Sequence, residues 1–525
     1  MITPSREHRG FSLALGLLAM TLGACTAREQ AEPDAAARPN ILYILADDLG
    51  YGELGVYGQE RIETPNIDGL ARSGMRFTQH YSGSPVCAPS RGVLLTGLHT
   101  GHAYIRGNDE MGERGDVWDF AKMAEDPNLE GQRPLPAGTR TLARLLQEVG
   151  YRTAIVGKWG LGGPLTEGIP NEQGFDFFFG YNCQRQAHTY YPVHLWRNRE
   201  KVPLDNEMVP PHTPLEEGAD PHDPASYARY RLKEYAPDLL LDEALSFVER
   251  NQDTPFFLYY ASPIPHLPLQ APERWVKHYQ EKLGSEEPST SERYFPNRTP
   301  RATYAAMIST LDEQVGRLLE KLEELGLRER TLVMFSSDNG PARVDLVWGE
   351  DDTTVFDSAR PFRSDRGRVK GSVYEGGMRV PMIAAWPGRI APGVTADHLS
   401  GFWDVLPTVA DVAGIPIPDD IDGISFAPTL LGRPEAQKSH EFLYWEFPSY
   451  GGQQAVRLGR WKGIRRDMLE GNSDVELYDL AADIREENDV AGEHPDVVAR
   501  IETIMKREHT PSPIERFQLK VLGDD

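Results

Sequence analysis

Short apolar runs recur along this chain, separated by stretches whose apolar residues return with helical spacing, and this alternation narrows the fold more than any other feature. Asn40-Ile41-Leu42-Tyr43-Ile44-Leu45-Ala46 is a continuous apolar run ending in Asp47-Asp48, as expected of a strand buried on both faces of a parallel sheet. Tyr151 to Val156, Pro255 to Ala261, Thr331 to Ser336 and Val380 to Trp386 read as further strands, and Met75 to Tyr81 as another. Between them, Leu142, Leu145, Leu146 and Val149 share one helical face, with Thr141 as cap and Gly150 as stop. Thr64-Pro65 opens a helix toward Ser73-Gly74, and Pro237 to Arg250, Tyr304 to Leu325 and Trp403 to Ala413 complete the helical set. The expected class is α/β, a mostly parallel sheet sandwiched by helices. Ligands of such sheets bind beyond the carboxyl ends of the strands, which makes Asp47 and Asp48 the first candidate site residues.

The character changes near residue 435. Glu441 to Trp445, Gln454 to Leu458, Trp461 to Arg465 and Val475 to Tyr478 are short strands, followed by a helix over Val497 to Lys506. The economical division is a main domain over 39–434 and a C-terminal subdomain over 435–525, a small antiparallel sheet with a helix packed on it. The charged, aperiodic stretch from Gly349 to Arg368 is expected to form a surface loop near the site.

The amino terminus reads as a targeting segment. Arg6 and Arg9 precede an apolar run from Phe11 to Met20, too short to span a bilayer, and Leu22-Gly23-Ala24-Cys25 resembles a bacterial lipobox. The expectation is a signal over 1–25, lipidation of Cys25, and a tether over 26–38. Thr26 stands where an Asp would suggest inner-membrane retention, so the expected location is the periplasm or cell surface of a bacterium, with the outer membrane favoured. A plain cleaved secretory signal is the alternative. A formal net charge of −24 argues against a nucleic-acid partner. It leaves room for an anionic substrate, which needs only local positive charge.

The densest motif is Cys87-Ala88-Pro89-Ser90-Arg91-Gly92-Val93-Leu94-Leu95-Thr96-Gly97. Pro89 suits a first helical position and Gly97 the positive-φ stop, which places Cys87 at the anion-favouring end of a helix with Arg91 one turn on. A lone cysteine is more commonly a small buried hydrophobe. The full stretch, however, resembles the Cys-x-Pro-Ser-Arg-x-x-x-Leu-Thr-Gly signature of the formylglycine-dependent (type I) sulfatases, within the alkaline-phosphatase-like superfamily. That resemblance implies hydrolysis of sulfate monoesters and enzymatic oxidation of Cys87 to an aldehyde, 3-oxoalanine, by a formylglycine-generating maturation enzyme. Hydrated, the aldehyde offers one hydroxyl to attack sulfur and a second whose deprotonation expels sulfate. With Cys25 and Cys87 assigned, only Cys183 remains of three cysteines, so no intramolecular disulfide is expected. A Cys87–Cys183 disulfide is the rival arrangement and would abolish that activity.

Asp47-Asp48 and Asp338-Asn339 are two carboxylate or amide pairs, each at the end of an apolar strand. Such oxygen donors suit a hard divalent cation, calcium first and magnesium second, and do not suit structural zinc. Singly, an Asp at a strand end is usually a turn or cap residue; the resemblance implies that Asp47, Asp48, Asp338 and Asn339, with residue 87, ligate the metal. Gly150-Tyr151-Arg152-Thr153-Ala154-Ile155-Val156-Gly157-Lys158-Trp159-Gly160-Leu161-Gly162 resembles a second family segment that puts Lys158 on the sulfate, except that Gly160 stands where the family usually has histidine. His188 and His194 are the candidates to replace it in substrate binding. Pro263-Ile264-Pro265-His266-Leu267-Pro268 resembles the family's Pro-His-x-Pro element and implies His266 as the general acid for the leaving alcohol. Lys370-Gly371-Ser372-Val373-Tyr374-Glu375-Gly376-Gly377-Met378-Arg379-Val380-Pro381 resembles another family run, with Lys370 on the sulfate and ester oxygen and Glu375 and Arg379 bracing the loop.

The expected substrate is a sulfated small molecule or sugar, with Tyr190, Tyr191, Trp196, Trp445 and Gln454 as candidate ring contacts. Two other functions suit parts of the pattern. A phosphomonoesterase or phosphonate ester hydrolase would use the same fold, and a catalytically impaired lipoprotein binding sulfated glycans would explain the missing histidine at 160.

Overall fold

The computed structural model describes residues 38–290, 293–342 and 355–524. The targeting segment with Cys25 lies outside them, as do residues 349–354 of the expected charged loop.

Strand β1 (Asn40–Ala46) is the axis of the molecule. Its side chains alternate between two separate cores. Leu42 and Ile44 face one, Ile41, Tyr43 and Leu45 the other, and all are fully buried. An unbroken apolar run is the cost-free way to satisfy both faces of a covered sheet. The remaining strands of the main domain are β2 (Met75–Phe77), β3 (His80–Tyr81), β4 (Arg152–Lys158), β5 (Phe177–Tyr181), β6 (His194–Arg197), β7 (Glu200–Pro203), β8 (Phe256–Ala261), β9 (Thr331–Ser337), β10 (Met382–Ala385), β11 (Val394–Ala396) and β12 (Ser400–Gly401). Ten of them form one sheet in the order β11-β2-β10-β9-β1-β8-β4-β5-β6-β7. The centre, β9-β1-β8-β4-β5, is parallel throughout. Antiparallel pairing enters toward the margins, where β10 runs against β9 and β2, and β6 against β5 and β7. The stretch expected as one strand over Met75 to Tyr81 is two, because β3 leaves the large sheet to pair with β12.

Helices cover both faces. Helices α1 (Pro65–Arg72), α4 (Ala236–Arg250) and α5 (Pro300–Glu324) line the core that receives Leu42 and Ile44. On the other face pack α2 (Cys87–Thr96), α3 (Leu142–Glu148) and α6 (Val405–Ala413). The Thr141 hydroxyl accepts the Arg144 N–H, capping α3 as its sequence suggested.

Strands β13 (Leu443–Phe447), β14 (Gln453–Leu458), β15 (Trp461–Arg465) and β16 (Glu476–Asp479) make an antiparallel sheet. Helix α7 (Pro495–Arg507) closes it, with Val497, Ile501, Ile504 and Met505 against Tyr444, Val456, Leu458 and Leu477. The opposite side of this sheet joins the main domain: Trp445, Ala455 and Ile464 belong to the same core as Tyr81 and Trp403. Among the described residues, no helix is long and apolar enough to cross a membrane.

Candidate active site

The carboxyl ends of β1, β4, β8 and β9 converge on one point, and each delivers a polar residue there. β1 ends in Asp47 and Asp48, β4 in Lys158, and β9 in Asp338 and Asn339, all at most 3% exposed. β8 leads into the turn that carries His266, 5% exposed. Asp48 holds a left-handed conformation, φ 66°, which Asp tolerates better than most residues.

Cys87 enters from α2. The helix begins two residues before the proline-based expectation: Val86 is the cap, Cys87 the first helical residue and Pro89 the third. All three early positions tolerate the missing donor of proline, since their N–H groups have no partner inside the helix. Gly97 does close the helix at φ 73°. Cys87 Sγ lies 3.6 Å from Asp47 Oδ1 and 3.5 Å from Lys370 Nζ. Cys87 and Cys183 are both free, and Cys183 packs 3.7 Å from Met123 Sδ, so the disulfide alternative is not formed. Burial pushes the Cys87 thiol up to about 12 although Lys158 and Lys370 oppose it. An unmodified thiol of this kind is scarcely ionised near neutrality and is a poor nucleophile.

Opposite charges are threaded through the cluster. Lys158 Nζ donates to Asp47 Oδ2 at 2.5 Å and Lys370 Nζ to Asp48 Oδ2 at 2.7 Å. Arg91 Nε and Nη2 donate to Asp338 Oδ2 at 3.1 and 2.9 Å, and its Nη1 to the Lys158 carbonyl at 2.6 Å. Buried charges survive only with partners of this sort. Asp338 Oδ1 also accepts the Asp48 N–H at 3.0 Å, tying the ends of β1 and β9 together.

The residues present fit a hard divalent cation. One ligand atom each from Asp47, Asp48, Cys87 and His266 falls within a 4.8 Å cluster, and Asp338 and Asn339 stand beside it. Asn339 supplies the sharpest indication: its Nδ2 donates to Asp48 Oδ1 at 2.7 Å, while its buried Oδ1 has no hydrogen-bond partner among the described residues. A buried oxygen without a donor is costly, and a cation is the partner that suits this carboxylate-rich set.

His266 sits with Nδ1 2.6 Å from the Leu267 carbonyl, so Nδ1 carries the proton it donates and Nε2 is left 3.6 Å from Asp48 Oδ2. Tyr190, proposed from sequence as a sugar contact, instead places its hydroxyl 2.7 and 2.6 Å from the Pro263 and His266 carbonyls and holds this turn from beneath. The rings of His188 and His266 stack at 5.0 Å. Burial, with Lys158 and Lys370 nearby, depresses both imidazoles, His188 to about 3 and His266 well below its ordinary value.

Above this floor opens a cavity of about 640 Å³, lined by Asp48, Cys87, Lys158, His188, His266 and Lys370. Arg91, Asp47, Asp338 and Asn339 lie beneath its surface. His194 is not brought to it. That ring bonds Glu130 and Gln186 at 3.1 Å, because β6 turns it toward the sheet margin. Of the other proposed ring contacts, Trp196 bonds Glu130, Trp445 bonds the Ser82 carbonyl and Gln454 bonds Tyr444, all in the interior, and Tyr191 packs on Tyr235. The aromatic groups at the cavity are Trp118, Tyr294 and Tyr450, from loops whose sequences have no periodicity to announce them. Asn108, Glu110, Asp116, Gln184, Arg293 and Arg516 add to its polar lining and were likewise missed. Glu375 and Arg379 do brace the Lys370 loop: they pair with each other, and Glu375 also with Lys462 at 2.8 Å.

Comparison with known proteins gives one family. Residues 39–415 match the sulfatase family model, and residues 369–510 match that of the C-terminal region of N-sulphoglucosamine sulphohydrolase. Human arylsulfatase A is 33% identical over 532 residues, covering 93% of this chain and 89% of that protein. N-acetylgalactosamine-6-sulfatase of the dog is 33% identical over 473 residues, 88% of this chain and 76% of that protein. Among solved structures, Ps i-CgsB superposes with a TM-score of 0.67 at 27% identity, covering 90% of this chain and 92% of that one. The same protein has been solved in complex with a neocarrahexaose.

Proposed function

This chain belongs to the sulfatase family and hydrolyses sulfate monoesters, and from that premise we propose that its nucleophile is a hydrated formylglycine made from Cys87 and that its substrate is a sulfated carbohydrate. One observation carries the proposal. Residue 87 stands at the floor of a cavity between Lys370 and Asp47, with Lys158 and Arg91 in the same charge network and an oxygen-rich cation cradle alongside.

The aldehyde hydrate would supply an attacking hydroxyl and a second hydroxyl whose loss of a proton releases sulfate; the cation, calcium before magnesium, would be held by Asp47, Asp48, Asp338 and Asn339 and would supply positive charge to sulfate oxygens. The protein's own groups do the rest. Lys158 and Lys370, now bonded to Asp47 and Asp48, are the lysines of the cavity lining and offer their charge to a bound sulfate. Lys370 also reaches residue 87, so it serves both the nucleophile and the group attacked. His266 is oriented by Leu267 so that Nε2 is its exchangeable position. Burial first, then the Lys370 and Lys158 charges, depress the ring; a sulfate ester offsets the lysine part, which favours protonation of Nε2 and proton delivery to the leaving oxygen. His188, stacked on His266, is a second imidazole at the site in a chain with glycine at 160. The carbohydrate assignment draws support from relatives named for a sulfated amino sugar and solved with an oligosaccharide. Secretion and lipid anchoring through Cys25 are part of the same proposal, as suits an enzyme acting on extracellular glycans, with a maturation enzyme as its partner.

The test is hydrolysis of defined sulfated monosaccharides and of aryl sulfate and aryl phosphate by protein co-produced with a formylglycine-generating enzyme. Sulfate release with residue 87 recovered as the aldehyde is expected. Phosphate turnover faster by orders of magnitude, or inert protein that carries the aldehyde, would contradict the proposal.

A further inference from the structure

Besides its cationic floor the cavity has a wall on which Glu110 and Gln184 present acceptors. Glu110, 16% exposed, is held rigidly: its Oε2 accepts from Gln132 Nε2 at 2.6 Å and from Arg185 Nη1, and Gln184 Nε2 points to its Oε1 at 3.4 Å. Arg185, 1% exposed, offsets the carboxylate charge, so Glu110 offers lone pairs without strongly repelling an anion bound nearby. Gln184 is fixed at both ends of its backbone and side chain, since its own N–H donates to Gln132 Oε1 at 3.0 Å. A carboxylate only accepts, so Glu110 dictates which way the Gln184 amide faces.

That orientation leaves Gln184 Oε1 on the side of Gly160. The residue is 4% exposed, and Oε1 is buried with no donor among the described residues. A Cβ added to Gly160, at φ 84°, would stand 3.0 Å from this oxygen. Glycine there therefore avoids crowding an acceptor that has no donor among the described residues. Such an atom costs about 1–3 kcal/mol until a donor reaches it, and Gln184 is one of the residues that line the cavity.

We propose that Gln184 and Glu110 are specificity-determining residues that accept hydrogen bonds from free hydroxyl groups of the leaving alcohol, so that a sugar sulfate is preferred over an alcohol without neighbouring donors. The proposal rests on the sulfatase reading above. An aryl sulfate fills the cationic floor equally well but brings no hydroxyl to Glu110 and leaves Gln184 Oε1 without a donor. Discrimination through unpaired polar groups is stronger than discrimination through apolar shape.

The experiment uses the matured full chain with calcium and two probes, 4-nitrophenyl sulfate and whichever of D-galactose 6-sulfate, N-acetyl-D-galactosamine 6-sulfate and D-glucose 6-sulfate is cleaved fastest. Gln184→Met is expected to lower the ratio of kcat/KM for the sugar to that for the aryl ester by about tenfold or more, the loss of one good hydrogen bond. Glu110→Gln is expected to shift it in the same direction. Where Gln184→Met does not fold, Gln184→Asn, which draws the amide back by one methylene, gives the same readout. An unchanged ratio in folded, active variants overturns the subsite and leaves the sulfatase reading intact. Wild-type protein bearing the aldehyde but inert on every probe overturns both.

Discussion

Gln453, in the C-terminal sheet, offers a sharp test of how the second subdomain serves the site. Its Nε2 donates to the Gly371 carbonyl at 2.8 Å and its Oε1 accepts the Val373 N–H at 3.1 Å, gripping the loop just after Lys370. Next to Lys370 the loop is also held by the Lys370 N–H on the Pro341 carbonyl at 3.3 Å and the Gly371 N–H on that of Pro85 at 2.9 Å, and farther on by the Glu375 pairs. Gln453→Met keeps the volume and removes both bonds. At about 1 kcal/mol net for each, roughly 2 kcal/mol of loop positioning is lost, equivalent to at most about thirtyfold in rate if Lys370 needs all of it in the transition state. The assay is kcat/KM for sulfate release by matured enzyme, well below its unfolding temperature, with Lys370→Met and the double variant measured alongside. A five- to thirtyfold fall is expected from Gln453→Met, at about 2 kcal/mol or less, and almost none when it is added to Lys370→Met, because both act through one group. Activity within twofold of wild type, or a full additional loss in the double variant, would refute the positioning argument.

Three further outcomes are expected. Asn339→Ala removes the buried oxygen that lacks a donor and should weaken calcium binding about tenfold or more by titration calorimetry; unaltered affinity would remove Asn339 from the cation site. His194→Gln should lower the unfolding temperature yet keep sulfate release within twofold of wild type, since the ring bonds Glu130 away from the cavity; a large fall in kcat would restore it to the site. His80 is buried against Ser400, and burial holds its imidazole down to about 3. The unfolded chain then binds the proton first, so this histidine's contribution is intact above its ordinary range near 6.5 and is lost as pH falls toward 3. Urea midpoints of wild type should drop across that interval and those of His80→Gln should drop less; parallel profiles would contradict the assignment.

The parts of this molecule that sequence makes legible are those where one local pattern has one physical outcome. A seven-residue apolar run ending in acids can only be a doubly covered strand with carboxylates at its mouth, and β1 is that. The same holds for Lys158 at the end of β4 and for Asp338 and Asn339 after β9. The start of α2 was misplaced because proline is acceptable at the third helical position as well as the first, and only packing distinguishes them. His188 and His194 were indistinguishable in sequence; a short turn over Gln186–His188 carries one toward His266, whereas β6 carries the other into the sheet. Trp118, Tyr294, Tyr450 and Gln184 join the cavity through loops whose ends are set by elements far away in the chain. No spacing rule reaches them, and the aromatic residues that spacing did suggest turned out to be core, as Tyr and Trp usually are.

Residue 87 remains the point on which all of the chemistry turns. Cys87→Ala should be produced with the maturation enzyme and calcium beside the natural chain, and inorganic sulfate released from a sulfated substrate measured for both. Release by the alanine protein at the level of a protein-free control, with the natural chain active and its residue 87 recovered as an aldehyde, is the predicted result. Equal release by the two proteins would contradict the account.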